Sequence, residues 1–316
     1  MITRSVDLKG TSPSSPFLTA LLYLGVLVLL LSSILRWMPG GWSVPDHLRI
    51  GLLWAALPLF LGAVWLRHRV AVLAVLVACL INAYLVTPTL LPRSTVPGEP
   101  VTLLHANVWQ HNPSMDAFVA LAREQKADLV VVLERYHFQG YAWADALADR
   151  FAYRLTCGEA DCGNNILSRW PLERLGVVTS PWHDRPDNPS YLAARVHRPG
   201  GAFTLVTAHL GQPFDQAIQD AQADWLVARL RELPGPLILS GDFNAAPWSP
   251  LIRRIMAGGS LARLSTTGPT WPSSALFIGI PIDHVLGDAG AEDAQVLGDI
   301  GSDHRPILTT FTLSGG

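Results

Sequence analysis

Hydrophobic and polar positions divide the chain into two parts. Before residue 90 the sequence contains three long uncharged apolar runs, Phe17–Leu35, Ile50–Leu66 and Val70–Val86. Each run is about 17–19 residues long, close to the helix length that crosses a bilayer core of about 30 Å. Because a helix satisfies its own backbone hydrogen bonds in lipid, we predict three transmembrane helices in a membrane domain of residues 1–90.

Basic residues beside these runs predict the orientation. Arg4 and Lys9 precede the first run, and Arg67 and Arg69 separate the second run from the third. The loop from Arg36 to Arg49 also has two arginines, which Asp46 offsets in part. Since basic residues favour the cytoplasmic side, we expect the N-terminus inside and, after three crossings, the remainder of the chain outside. The protein is thus expected in the cytoplasmic membrane as a multi-pass protein with its larger domain extracytoplasmic.

The cysteines agree with an outer location. Cys157 and Cys162 are separated by four residues that include Gly158, so they could close a small disulfide loop; two unrelated thiols are the alternative. A disulfide would indicate an oxidising compartment.

After a proline-rich segment, residues 91–100, which predicts a short stiff linker, the pattern changes to short apolar runs alternating with helical stretches. The predicted strands are 101–104, 129–133, 165–167, 193–196, 203–208, 237–239, 282–286 and 307–313, and the predicted helices are 115–125, 142–150, 217–233 and 251–256. This pattern predicts an α+β domain over residues 101–316, with two sheets packed face to face and helices outside them.

Chemically useful side chains recur where predicted strands end. They are Asn107, Glu134, His209, Asp242 and Asn244. Two packed sheets would gather these strand ends on one rim, and carboxylate, amide and imidazole groups together indicate a metal-assisted hydrolytic site.

The residue types suggest distinct roles. Glu134 follows the apolar run Leu129–Leu133, so its carboxylate must be paired or bound to a cation, and a hard oxygen ligand suits Mg²⁺, with Mn²⁺ as the alternative. Asn107 could add an amide oxygen to the same cation, or it could donate its amide N–H to a phosphate oxygen. Asp242 and Asn244 flank Phe243 and would point to one side, where they could orient a water molecule and hold a phosphoryl oxygen.

Two acid–imidazole pairs follow, Asp283-His284 and Asp303-His304. Adjacent strand residues point to opposite faces, which favours a cross-pairing in which Asp283 orients His304 for acid–base work. Asp303 is then left as a metal ligand or as a partner of His209, and His209 can donate to a non-bridging oxygen.

Composition limits the substrate class. Charged residues make up 15% of the chain and the net charge is −2, so no basic field attracts nucleic acid, which we therefore do not expect as a partner.

Taken in order, these strings resemble the endonuclease/exonuclease/phosphatase superfamily, which has the DNase I-like fold. The matching segments are Asn107, Glu134, Asn165–Arg169, Thr207–Leu210, Gly241–Asn244, Ile282–His284 and Ser302–Pro306. The resemblance implies a four-layer αββα sandwich and a Mg²⁺-dependent phosphoesterase. It implies that Asn107, Glu134 and Asp303 serve the metal and that His209, Asp242, Asn244, Asp283 and His304 are catalytic.

The combination with three membrane helices is similar to the VanJ- and YafD-type membrane members. This similarity implies hydrolysis of a lipid-linked phosphate or pyrophosphate, such as undecaprenyl pyrophosphate, at the outer membrane face, with the bilayer and the lipid as partners. Trp109 stands where the repair nucleases carry an acidic residue, which also argues against DNA. The alternatives are an anchored nuclease, a sphingomyelinase-type phosphodiesterase and an inactive membrane adaptor.

Overall fold

The computed structural model describes residues 15–37, 43–90, 95–158, 162–178, 189–275 and 278–313. Arg4, Lys9 and residues 91–94 of the predicted linker lie outside these ranges. The helices are α1 (Pro16–Ile34), α2 (Val44–His47), α3 (Arg49–Trp65), α4 (Arg69–Leu90), α5 (Asp116–Glu124), α6 (Ala142–Asp145), α7 (Gln216–Glu232) and α8 (Pro250–Gly259). The chain forms two compact units, one containing α1, α3 and most of α4, the other containing α2 and the chain from Thr87 onward.

The three predicted membrane runs are helices, but they differ in length. Two of them, Pro16–Trp37 and Arg69–Leu90, are long and apolar enough to cross a membrane, whereas Arg49–Trp65 has 17 residues and contains Pro58. The count of three membrane crossings therefore stays a prediction.

A polar cluster joins these three helices within the first unit. The buried guanidinium of Arg49 donates to Asn82 Oδ1 at 2.8 Å, and Asn82 Nδ2 donates to Ser33 Oγ at 2.7 Å. Since polar groups buried among apolar helices need partners, this cluster fixes the relative rotation of the helices.

The second unit contains two six-stranded sheets. The strands are β1 (Pro100–Asn107), β2 (Leu129–Leu133), β3 (Tyr153–Thr156), β4 (Asn165–Ser168), β5 (Leu172–Val178), β6 (Ser190–Val196), β7 (Phe203–His209), β8 (Leu237–Asp242), β9 (Ala262–Arg263), β10 (Asp283–Gly287), β11 (Gly290–Val296) and β12 (Ile307–Thr312). Their orders are β11-β12-β1-β2-β4-β3 and β5-β6-β7-β8-β10-β9.

Three layers of apolar contact hold the sheets and helices together. Side chains from both sheets, such as Leu103 and Leu205, form the central core. The opposite face of the first sheet packs against α5 and α6 through Phe118 and Trp143, and that of the second sheet packs against α7 and α8, for example through Leu226. This α+β arrangement has the predicted order of helix, sheet, sheet and helix.

The structure adds strands that the sequence pattern did not predict. They are β3, β5, β9 and β11, and each lies at or beside the edge of its sheet. It also shortens the predicted helix 142–150 to Ala142–Asp145. The structure places a disulfide between Cys157 and Cys162, whose Cα atoms are 5.6 Å apart.

Candidate active site

Strand register brings the polar strand ends together. In the first sheet the parallel strands β1 and β2 pair Asn107 with Leu133, so Glu134 follows beside Asn107. In the second sheet Asp242 is paired with His209 on one side and with Asp283 on the other. Because residues paired across strands point to the same face, these three side chains form a row.

Asn107 links the two sheets. Its Nδ2 donates to Glu134 Oε1 at 2.9 Å and to Asp242 Oδ2 at 3.0 Å. Its Oδ1 accepts the backbone N–H of Trp109 at 3.0 Å, and the Gln110 N–H donates to Glu134 Oε2 at 3.1 Å. The amide is therefore held in one orientation between two carboxylates.

Three residues at this rim have left-handed backbone conformations although none is glycine. The φ angles are 56° at Trp109, 58° at Glu134 and 49° at Asn244. Such conformations persist only where the surroundings determine them, and they concentrate at functional sites. At Asn244 the backbone N–H donates to Asp242 Oδ1 and Nδ2 donates to the Leu210 carbonyl, both at 2.9 Å.

Two histidines approach Asp242. His209 Nε2 lies 3.6 Å from Asp242 Oδ2 and 4.0 Å from Glu134 Oε1, and Asn244 Nδ2 lies 3.4 Å from the same nitrogen. His304 Nε2 lies 3.5 Å from Asp242 Oδ2. The imidazoles and the amide therefore face the carboxylate pair.

Asp283 holds His304 through a hydrogen bond of 2.8 Å between Oδ2 and Nδ1, which is the cross-pairing expected from the alternation of strand residues. His284 points elsewhere, with its Nε2 donating to the Ala245 carbonyl at 2.7 Å. Burial lowers the pKa of His284 to about 4, so its ring stays neutral at physiological pH.

Sequence reasoning missed His105, which is fully buried within β1. Its Nε2 lies 3.1 Å from Asp283 Oδ1, and its Nδ1 lies 2.9 Å from Ser240 Oγ. Asp283 thus contacts two imidazoles, one at each carboxylate oxygen. The available signal was a polar residue inside an apolar strand. His105 lies two positions before Asn107, so the two side chains point to the same face of the sheet.

Asp303 lies apart from the row. Its Oδ2 accepts the indole N–H of Trp271 at 3.3 Å, and it is not a member of either acid–imidazole group that the described residues place within ligand distance of one cation. Its assignment as a metal ligand stays a prediction. The neighbouring Ser302 donates from Oγ to the Asn107 carbonyl at 2.8 Å, which ties this loop to β1.

Burial and charge set the protonation of the site. Burial raises the pKa of Asp242 more than the two nearby imidazoles lower it. Burial alone would lower the pKa of His304, but Asp283 and Asp242 raise it to about 10, so the ring is an imidazolium at neutral pH. Burial would raise the pKa of Glu134, yet His209, Asn107 and Gln110 together hold it below its usual value. For Asp283 the two histidines overcome burial, and its pKa is far below the usual range.

The donor set fits a divalent cation. Ligand atoms of Glu134, His209 and Asp242 lie within 4.8 Å of one another, as do those of Asp242, Asp283 and His304. In the second group both oxygens of Asp283 already contact histidines, whereas the first group contains two carboxylates that both accept from Asn107 Nδ2. Carboxylate oxygens are among the ligands that Mg²⁺ and similar hard cations prefer, whereas the Asn107 oxygen is taken by the Trp109 N–H.

A model of the Endonuclease/Exonuclease/phosphatase family matches residues 104–304, a range that includes every residue of this site. The chain belongs to this family. Members of the endonuclease/exonuclease/phosphatase family are metal-dependent hydrolases of phosphoric esters, so the chain is an enzyme of that class.

Individual relatives of this family member are distant. A UPF0294 protein of Vibrio vulnificus (strain CMCP6) is 27% identical over 234 residues, covering 67% of this chain and 77% of that protein. The beta toxin of Staphylococcus aureus, in a mutant solved with bound magnesium ions, has a TM-score of 0.56 at 13% identity, covering 68% of this chain and all of that one. Sphingomyelinase C of Streptomyces griseocarneus has a TM-score of 0.51 at 17% identity, covering 68% and 100%. At these identities the two structures share the fold.

Proposed function

We propose that the chain is a membrane-anchored, Mg²⁺-dependent phosphohydrolase that cleaves a lipid-linked phosphate or pyrophosphate, such as undecaprenyl pyrophosphate, at the outer face of the cytoplasmic membrane. The observation that carries the proposal is the apolar character of the loops around the site, in a chain that also has helices long enough to cross a bilayer.

Exposed apolar side chains are concentrated on those loops. Within the described part of residues 95–313, six large apolar or aromatic side chains are exposed, and all but Tyr153 lie in segments between strands that follow or precede a site residue. These five, which we call the apolar rim, are Trp109, Phe138, Phe214, Trp271 and Ile278, between 36% and 75% exposed. Exposed apolar side chains gathered on the loops of a site favour an apolar ligand, and here they would suit acyl or prenyl chains.

The side chains suggest how the phosphorus would be attacked. Asp242 is the acceptor placed to take a proton from an attacking water, with Asn244 beside it. His304, charged and held by Asp283, can donate from Nε2 to a phosphoryl or leaving-group oxygen. His209 faces the same space and can stabilise the charge that develops on the phosphorus oxygens.

Glu134 is the residue that would hold the cation, and the sequence predicts Asn107 and Asp303 as further ligands; the Asn107 oxygen would reach the cation only after releasing the Trp109 N–H. When bound, a divalent cation neutralises charge on the phosphoryl oxygens. Placing the site on the outer side is supported by the Cys157–Cys162 disulfide, which is typical of oxidising compartments.

A panel of substrates tests the proposal. Full-length protein in detergent would be incubated with Mg²⁺ and polyprenyl phosphates, polyprenyl pyrophosphates, glycerophospholipids, sphingomyelin and supercoiled plasmid. We expect phosphate release from a polyprenyl substrate. Choline phosphate release from sphingomyelin, or plasmid nicking with no lipid hydrolysis, would instead establish the phosphodiesterase or nuclease alternative.

Glu134→Gln supplies the matched variant, because it keeps the size of the side chain and removes the charge that a cation needs. We expect Mg²⁺-dependent turnover to be lost in Glu134→Gln and retained in Glu124→Gln, which changes an exposed residue of α5. Wild-type turnover in Glu134→Gln would refute the metal assignment.

A further inference from the structure

The short helix α2 lies between the first two apolar helices in sequence, yet it belongs to the unit that carries the active site. Asp46 and His47 are almost completely buried, at 1% and 5% exposure. A polar pair in a loop between apolar helices would ordinarily face solvent, so its burial requires specific partners.

Those partners lie in the loop between β8 and α8. The backbone N–H of Ala246 donates to His47 Nδ1 at 3.0 Å, and the indole N–H of Trp248 donates to the Asp46 carbonyl at 2.5 Å. Trp248 is 1% exposed and Ala246 is fully buried. Residues 46 and 47 therefore supply acceptors for two donors that would otherwise be buried without partners.

This loop also contains Asn244. Its left-handed backbone is fixed through the N–H that donates to Asp242, its side chain donates to the Leu210 carbonyl, and at the next residue His284 donates to the Ala245 carbonyl. The bonds to α2 fix the remaining end of the loop.

We propose that α2 is a positioning element of the active site, in which His47 and the Asp46 carbonyl hold the 244–248 loop and so place Asn244 beside Asp242. The role of α2 rests on the function proposed above for those two residues. It gives a segment from the N-terminal, apolar part of the sequence a role in positioning the active site.

Hydrogen exchange of the full-length protein in detergent micelles tests this without any substrate. In His47→Leu, which removes the acceptor, we expect amides in a peptide covering residues 243–249 to exchange roughly fivefold faster, as when one hydrogen bond is lost. His47→Asn places an amide oxygen near the former Nδ1 and should restore slow exchange. Trp248→Phe keeps a packed ring, removes the other donor and should also accelerate exchange.

His68→Leu is the matched control, because it makes the same substitution in the connection between α3 and α4, where His68 contacts Thr19 and Tyr23. We expect it to leave exchange of residues 243–249 unchanged. Unchanged exchange in His47→Leu, or equal acceleration in His68→Leu, would overturn the proposal.

Turnover of a soluble phosphodiester, bis-p-nitrophenyl phosphate, gives the second readout. A positioning role predicts that His47→Leu lowers kcat about tenfold with KM unchanged, and that His47→Asn recovers most of it. A fall in kcat that occurs only with a matching loss of thermal stability, and that His68→Leu reproduces, would indicate a structural role and overturn the proposal. If wild-type protein hydrolysed no phosphoric ester, the proposed function would fail, and the exchange result would still decide whether α2 holds the loop.

Discussion

The buried carboxylate of Asp283 is shared between two histidines. Its carboxylate contacts His105 at 3.1 Å and His304 at 2.8 Å, one imidazole at each oxygen. When His105 Nε2–H donates to Asp283, its Nδ1 accepts from the Ser240 hydroxyl, so both ring nitrogens are satisfied. His105 therefore fixes the orientation of Asp283, and through it that of His304.

We predict that His105→Phe, which keeps the ring volume, destabilises the protein by about 1–3 kcal/mol because one buried carboxylate oxygen loses its donor. It should also lower kcat, since Asp283 becomes free to turn away from His304. Urea unfolding and steady-state kinetics would measure the two effects. Ser240→Ala removes only the outer partner of His105 and should have a smaller effect on kcat; equal kcat in His105→Phe and wild type would refute the positioning role.

At the scale of elements, the pairing of β7 with β8 sets the distance between His209 and Asp242. Gly241 lies one residue before Asp242, and a Cβ atom there would be 2.1 Å from the Ala208 carbonyl oxygen and 2.6 Å from the Phe243 ring. The absence of a side chain at this position allows the two strands to approach. The next residues, His209 and Asp242, are therefore paired side by side.

Gly241→Ala is accordingly expected to force β7 and β8 apart, at a cost of about 1–3 kcal/mol, as in overpacked cores. Thermal unfolding would measure the loss, and kcat should fall because His209 and Asp242 shift relative to each other. Gly298→Ala is the control, since a Cβ there meets no atom within 4 Å. Equal stability of the two variants would show that the close approach is not limiting.

The burial of each strand determines whether the sequence pattern predicted it. Buried strands such as Leu129–Leu133 are continuous apolar runs and were located correctly. The edge strands β3 and β11 contain exposed residues such as Tyr153 and Glu292, so their hydrophobic pattern is weak and neither was predicted.

Some site residues could be predicted from local sequence pattern, and others could not. Residues at strand ends were recognisable because each interrupts an apolar run. The contact of His105 with Asp283 depends on packing between the two sheets, and the contact of His47 with Ala246 joins positions 199 residues apart, so neither can be deduced from local pattern.

For the whole molecule, the bond between His47 and Ala246 bears on membrane topology. Two bonded segments lie on the same side of a membrane, and the chain between them contains α3 and α4. An even number of crossings must separate them, so α3 and α4 both span the bilayer or neither does. Since α4 is long enough to span, we expect α3 to span as well, although its 17 residues provide only about 25 Å of helix.

Cysteine labelling of intact cells tests this topology. In a Cys79→Ser background, a membrane-impermeant maleimide should label Leu48→Cys and the exposed domain position Glu173→Cys, and should spare Arg67→Cys until the cells are opened. The physical reason is that residues 48 and 173 would be outside and residue 67 inside. Labelling of Leu48→Cys and Glu173→Cys from opposite sides would contradict the predicted topology.

The contact of Trp248 with Asp46 has a practical consequence for the preparation of a water-soluble fragment. A polypeptide that starts after the apolar helices lacks the acceptors at residues 46 and 47. The Trp248 indole N–H and the Ala246 backbone N–H then lose these hydrogen bonds. We expect the 244–248 loop of such a fragment to be less well ordered. We expect a short synthetic peptide spanning residues 43–48, added back in trans, to raise its activity.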